Sequence, residues 1–267
     1  MKHLFKLLAF FIVGSLLFTS CKKDAGTTPQ NEISQATLLS IADHGFGTSD
    51  VQKIEEGYLV EGDIVLTEEY LGQQSTGNLV RIANNEQYRT TNLVSQNRTI
   101  TLALDSKLKA KAGYNEALVV VRDRYNAQNL TLHFEIVSSG ANITFVDAHG
   151  QFLASAGFPS GGNPYGTVKV NAQSIGTGTN STFYNFAGTI MAHEAGHCIG
   201  FRHTDYMDRS FSCGGSPTNE GASNVGAILI PGTPSGPDSG SWMLSCISRN
   251  QSRPFNANDI IALAYLY

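Results

Sequence analysis

Five residues within a short stretch, His193, Glu194, His197, Gly200 and His203, could do chemistry together. Histidines at i and i+4 stand about one helical turn apart, so both imidazoles can reach a single ion at roughly 2.0–2.1 Å each. Glu194 falls on the neighbouring flank, where it can reach a fourth position held by water without binding metal itself. A third ligand must come from outside that turn. Gly200 can adopt positive φ, end the helix and redirect the chain, which brings His203 back to the ion. The chemistry such a set supports is hydrolysis: three neutral imidazoles hold Zn²⁺, the ion lowers the pKa of bound water towards about 7, and Glu194 serves as general base. Gly196, inside the same helix, costs roughly 1 kcal/mol relative to alanine, which close packing of a neighbouring backbone would explain.

The string His193, Glu194, His197, Gly200, His203 fits H-E-x-x-H-x-x-G-x-x-H at every fixed position and so resembles the metzincin zinc metallopeptidases. With its context "HEAGHCIGFRHTDY", the upstream "YLVEGDIVLT" and a lipoprotein-like start, it resembles the bacterial dual-action HEIGH metallopeptidases; Ala195 stands where that name has isoleucine. The resemblance implies a zinc-dependent endopeptidase acting on proteins or peptides. It implies an α+β (mixed α/β) fold with a twisted sheet, an active-site helix, a Met-turn and a C-terminal helix. Met243, in "GSWMLSC", is then the methionine of the turn, an apolar floor and not a ligand; Ser245 stands where some branches place a tyrosine. An edge strand along the cleft is also implied, with "GTVKVNAQ" around Val168 and Val170 as its candidate. A peptide would add there as an extra strand.

The elements that must position these residues are partly visible. Ser181 or Thr182 can cap the histidine helix, and Phe183, Phe186, Ala187, Ile190 and Met191 form its core side, with His193 and His197 on another. "RTITLAL" alternates as a strand through Ile100, Leu102 and Leu104, and Leu118, Val121 and Tyr125 form a helical stripe. "LTLHFEIV" and "ANITFVDA" read as further strands. "NANDIIALAYLY" reads as a final helix capped by Asn256 or Asn258, with Ile260, Ile261, Ala264 and Tyr267 facing the core. The Gly/Ser/Pro-rich region 214–240 reads as long and irregular. His44, His133 and His149 are isolated, and Asp205 is a candidate partner for a histidine ligand or a closure for the loop after the motif.

The 267-residue chain has net charge -4 and 41% hydrophobic residues, enough for a core, and no basic run that would mark a nucleic-acid partner. Residues 1–20 read as a signal peptide, with the basic "MKHLFK" before an apolar run too short to span a bilayer comfortably. "FTSC" resembles a lipobox with Phe18 at its aliphatic position, which makes Cys21 the lipidated residue. "CKKDAG" resembles lipoprotein starts of the Bacteroidetes type. The expected location is the bacterial cell envelope through a lipid anchor in the outer membrane, with cleavage and release as the alternative. Residues 21–36 read as a flexible tether, 37–95 as an accessory or pro-segment or the first part of the main domain, and 96–267 as the peptidase domain. Among Cys198, Cys213 and Cys246, the last two sit in Gly/Ser-rich loops and are the candidate disulfide, while Cys198 reads as a buried apolar residue. Between Lys22 and Ala195 there is no cysteine to cap a zinc ion, so a carboxylate, Asp63 or Asp43, is the candidate for latency. The rival readings are a surface binding lipoprotein with a structural or inactive zinc site and an adhesin without metal.

Overall fold

The computed structural model describes residues 33–73, 87–219, 227–234 and 237–267. Cys21, the expected signal peptide and residues 21–32 of the expected tether lie outside the described residues, and the expected tether's end is corrected, since Ser34 already caps a helix that begins at Gln35. Residues 33–267 form one compact unit. Helix α1 (Gln35–Asp43), capped by Ser34, is followed by strands β1 (Gln52–Ile54), β2 (Gly57–Val60) and β3 (Ile64–Leu66), which pair as successive antiparallel hairpins. Helix α2 (Glu68–Gly72) and strand β4 (Tyr88–Arg89) lead to β5 (Arg98–Leu104), where Ile100, Leu102 and Leu104 are buried as the alternation predicts. Helices α3 (Ser106–Lys109) and α4 (Tyr114–Asn126) come next, and α4 buries Leu118, Val121 and Tyr125. Strands β6 (Leu132–Ile136), β7 (Ile143–Asp147), β8 (Ala154–Gly157) and β9 (Thr167–Val170) precede helices α5 (Ala172–Ile175), α6 (Ser181–Ile199) and α7 (Ser210–Cys213). The short β10 (Ile228–Leu229), paired with β4, and helix α8 (Ala257–Leu266) complete the order.

Among the described residues, eight strands form one sheet in the order β1-β2-β3-β8-β9-β7-β5-β6. β6, β5, β7 and β9 are mutually parallel, β8 runs antiparallel to β9, and β3 runs parallel to β8. The architecture is mixed α+β, and one large apolar core joins the parallel strands to α4, α6 and α8. Helices α4 and α6 approach so closely that a Cβ on Gly188 would lie 2.7 Å from Val120 Cγ1.

Three further expectations need correction. β9 is not the edge strand: it lies between β7 and β8, with Val168 and Val170 fully buried. The strand beyond it, β8, is the run "ASAG", whose small residues are buried on both faces and show no alternation. The cap of α6 is Asn180, whose side chain accepts from Phe183 N at 3.0 Å, and neither Ser181 nor Thr182 holds that position. In α8 the cap is Asn256, but Ile260 and Ile261 are 39% and 42% exposed. The buried stripe runs through Asp259, Ala262, Leu263 and Leu266, with Tyr267 beyond it, because a buried carboxylate sets the phase of the helix. From Phe186 to Ile199 α6 is buried all round, so its histidines lie inside the protein rather than on a polar flank.

Asp259 ties three remote segments together. Its carboxylate accepts from the buried Gln87 Nε2 at 2.7 Å, Ser241 Oγ at 2.9 Å and Trp242 N at 3.2 Å, and from the half-buried Asn256 N at 3.0 Å. Asp259→Ala orphans these donors, each costing roughly 1–3 kcal/mol when buried without a partner. The variant is therefore expected to lose about 3 kcal/mol or more in urea unfolding at an unchanged slope. A loss within error of zero would show that these bonds do not hold the segments.

Candidate metal centre

The α6 helix delivers two imidazoles and its C-terminus delivers the third. Gly200 ends the helix at φ 115°, its N–H bonded to the carbonyls of Gly196 and His197. A Cβ there would lie 2.8 Å from the Asn92 carbonyl oxygen, so glycine is required both by the left-handed turn and by this close approach. Beyond the turn, Phe201 and Arg202 carry the chain back and His203 lies fully buried beside His193 and His197, the ring centroids 5.2 and 4.9 Å away.

Backbone carbonyls fix the ring orientations. His193 Nδ1 donates to the Trp242 carbonyl at 2.9 Å and His197 Nδ1 donates to the Phe201 carbonyl at 2.7 Å. This leaves each Nε2 without its proton and free to ligate. Those two Nε2 atoms are 3.1 Å apart, and Asp63 Oδ2 lies 3.2 Å from His203 Nε2 and 3.6 Å from His193 Nε2. The donor atoms of Asp63, His193, His197 and His203 all lie within 4.8 Å of one another. Ligands at 2.0–2.1 Å on the corners of a tetrahedron would be about 3.3 Å apart, so the donor set fits one small divalent cation.

The electrostatics agree. Burial first, then His193 and His203, hold His197 well below its ordinary value, keeping it in the neutral form that ligates. Burial pushes the Asp63 carboxyl up, but His203, with His193 and His197, outweighs it and holds the group well below the usual carboxylate range. Burial first and the nearby Asp63 charge second lift Glu194 well above its usual value, with His203 opposing. Glu194 Oε2 is buried with no hydrogen-bond partner among the described residues, as is Asp63 Oδ1. Glu194, His193 and Asp63 line a cavity of about 240 Å³ whose far wall includes Leu153, Leu244 and Arg253.

Met243 is fully buried beneath the helix, and a Cβ on Gly196 would sit 2.6 Å from its Sδ. The glycine in mid-helix is thus explained by a side chain, not by the neighbouring backbone that the sequence suggests. Asp205 closes the loop: it accepts from Ser245 N and Ser245 Oγ at 2.9 Å each and from Ser212 Oγ, and no bond joins it to a ligand ring. A disulfide joins Cys213 to Cys246, while Cys198 is buried with a free thiol that burial pushes well up. Asp43 ends α1 on the surface, His133 and His149 are exposed, and His44 bonds backbone carbonyls of Ser40 and Gln73; none joins the cluster.

Two parts of the site escape sequence reasoning. The carbonyls of Trp242 and Phe201 carry no residue-type signal, although Trp242, the sole tryptophan, adjoins Met243. Arg202, next to His203, is fully buried and donates to both carboxylate oxygens of Glu61 at 2.6 Å and to the Gly45 carbonyl at 2.9 Å. Its guanidinium also stacks over Phe46 at 4.4 Å.

The profile of the dual-action HEIGH metallo-peptidase family matches residues 58–267. No curated protein matches the chain. The matched span includes Asp63, the three histidines, Glu194 and Met243.

A preformed cluster that binds a cation only when folded gains stability on loading, by about 2.7 kcal/mol at a hundredfold excess over Kd. Zinc added to stripped protein is expected to raise the melting temperature of the parent and to leave His197→Ala unmoved. Equal shifts in the two would contradict this ligand set.

Proposed function

The chain belongs to the dual-action HEIGH metallo-peptidase family, a family of metallopeptidases, and from that premise we propose that it is a zinc-dependent endopeptidase using Glu194 as general base. The single observation that carries the reading is the pairing of a buried three-imidazole donor set with Glu194, whose Oε2 has no hydrogen-bond partner among the described residues and which lines the same cavity as His193. A buried acceptor left unsatisfied calls for an explanation, and for a carboxylate beside three imidazoles proton transfer supplies one. Zinc bound to these residues would supply Lewis acidity and acidify its water.

The remaining roles fall to the chain. His193, His197 and His203 would hold the ion, with the first two rings kept in register by the Trp242 and Phe201 carbonyls. Glu194 takes a proton from the attacking water and returns it to the departing amine. The cavity walls of Leu153, Ile190, Leu244 and Ile247 accept an apolar substrate side chain and exclude water from the proton's path.

The rival of a structural zinc site has one observation in its favour, since Asp63 stands where a fourth protein ligand would close the coordination. It leaves the unpartnered Glu194 carboxylate without a purpose, and so the peptidase reading is preferred. Glu194→Gln is expected to retain zinc and to lose about 10²–10⁴-fold or more in cleavage of casein or a peptide library. Turnover at the parental rate would defeat the assignment.

The proposal includes export. A basic start, a short apolar run and the lipobox-like "FTSC" support removal of residues 1–20, lipidation of Cys21 and a tether that ends before helix α1, with the peptidase on the bacterial cell envelope at the outer membrane. Among the described residues no helix is long and apolar enough to cross a membrane. Cys21→Ala is expected to move the protein from the membrane pellet to the soluble fraction. Retention in the pellet would contradict anchoring through that residue.

A further inference from the structure

Resting on the peptidase reading, we propose that residues 33–73 hold this chain in a self-inhibited form. In that form β3 lies along β8 where a substrate main chain would bind, and Asp63 fills the fourth position of the metal site.

Without β1–β3, β8 would be the outermost strand on the side of the metal centre, and its first residue, Ala154, lines the cavity shared with His193 and Glu194. That edge is the natural receptor for an extended peptide, whose main chain would bond the free groups of the strand. β3 already uses it: Ile64 pairs with Ala156 and Val65 with Gly157, and Ala156 N donates to the Asp63 carbonyl at 2.9 Å. A substrate and β3 cannot occupy the same edge together. What β3 and its turn bring to the metal centre is a carboxylate rather than a peptide carbonyl, so the occupant offers no bond to cut.

The segment is built as a separable layer. Seven of its buried apolar residues, Ile41, Phe46, Tyr58, Val60, Ile64, Leu66 and Tyr70, form their own cluster, joined only by Phe158 from the rest of the chain among the described residues, while Leu59 and Val65 are buried outside it. The large core beneath the parallel strands includes none of them. The layer is fastened mainly by polar latches. Glu61 is gripped by Arg202, its carbonyl accepts from Arg209 Nη1 at 2.7 Å, and Glu56 pairs with Lys169 at 2.6 Å. Glu61 holds a left-handed φ of 55° at the turn that aims Asp63, a conformation that costs free energy unless its surroundings enforce it. Phe158 stacks on Phe46 and meets the His197 ring edge-on at 5.6 Å, so the segment is packed up to the ligands themselves.

The test uses the full chain, zinc-loaded, with acetohydroxamate as a small metal-chelating probe that needs an open coordination position. If the competent form is a tenth or less of the population, apparent affinity is reduced by about tenfold or more. Asp63→Ala and the isosteric Asp63→Asn are therefore expected to keep the parental zinc content and bind the probe about tenfold or more tightly by calorimetry, with peptide cleavage rising by a similar factor. Glu61→Gln, which loosens the Arg202 latch and leaves the site intact, is expected to give a smaller gain in both and serves if the Asp63 variants fold poorly. Equal probe affinity in parent and variants, loss of zinc from well-folded Asp63→Asn, or parental cleavage already at the variants' rate would overturn the proposal. Tighter probe binding without any peptide cleavage would sustain the capped site and sink the peptidase reading instead.

Discussion

Three buried imidazoles facing one point are the constraint on which the rest of the structure depends. Neutral nitrogen lone pairs 3.1 Å apart repel each other, and protonating His197 inside the protein is opposed first by burial and then by His193 and His203. A cation at the shared point is the simplest way to satisfy all of them. Carbonyls fix two of the rings from behind, and the helix end fixes the approach of the third. Such preorganisation is what separates a metal site from a surface that happens to hold histidines.

The surrounding elements can be understood as supports for that point. Gly200 turns the chain, Gly196 admits Met243 beneath the helix, and Thr204 N bonds the Met243 carbonyl, so the ligand helix and the methionine loop brace each other. Asp259 holds the same loop from the other side through Ser241 and Trp242, which places the C-terminal helix in the support of the site although it carries no ligand. The Cys213–Cys246 bond and the Asp205 contacts with Ser212 and Ser245 secure the loop that follows His203. Stability and chemistry are thereby coupled: a change that frees the methionine loop also frees the carbonyl that orients His193.

Much of this was legible in the sequence where chemistry or periodicity leaves a mark. The histidine spacing, the redirecting glycine, the strands through Ile100 and Phe134, and the apolar face of α6 all follow from geometry that side-chain types record. Other features leave little trace. β8 is built from alanine, serine and glycine in a doubly buried place, so it shows neither alternation nor bulk, whereas the valines of β9 alternate clearly although that strand is central. The phase of α8 was misplaced because an aspartate on the buried face contradicts the ordinary expectation for a charged residue. Backbone carbonyls have no residue identity, so the partners of His193 and His197 could not be named in advance. Asp63, in the "YLVEGDIVLT" stretch, is one of two carboxylates that the sequence leaves as candidates to cap zinc, and the structure places it, not Asp43, beside His203 and His193.

Family membership, the donor geometry and the unpartnered Glu194 oxygen converge on metal-dependent peptide hydrolysis, and all of them presuppose the ion. The most direct check is anomalous diffraction at the zinc edge from crystals of the zinc-loaded full chain. A single strong peak roughly 2.0–2.1 Å from the Nε2 atoms of His193, His197 and His203 is the expected result. No peak among those rings, or a peak bound by fewer than three of them, would contradict the account.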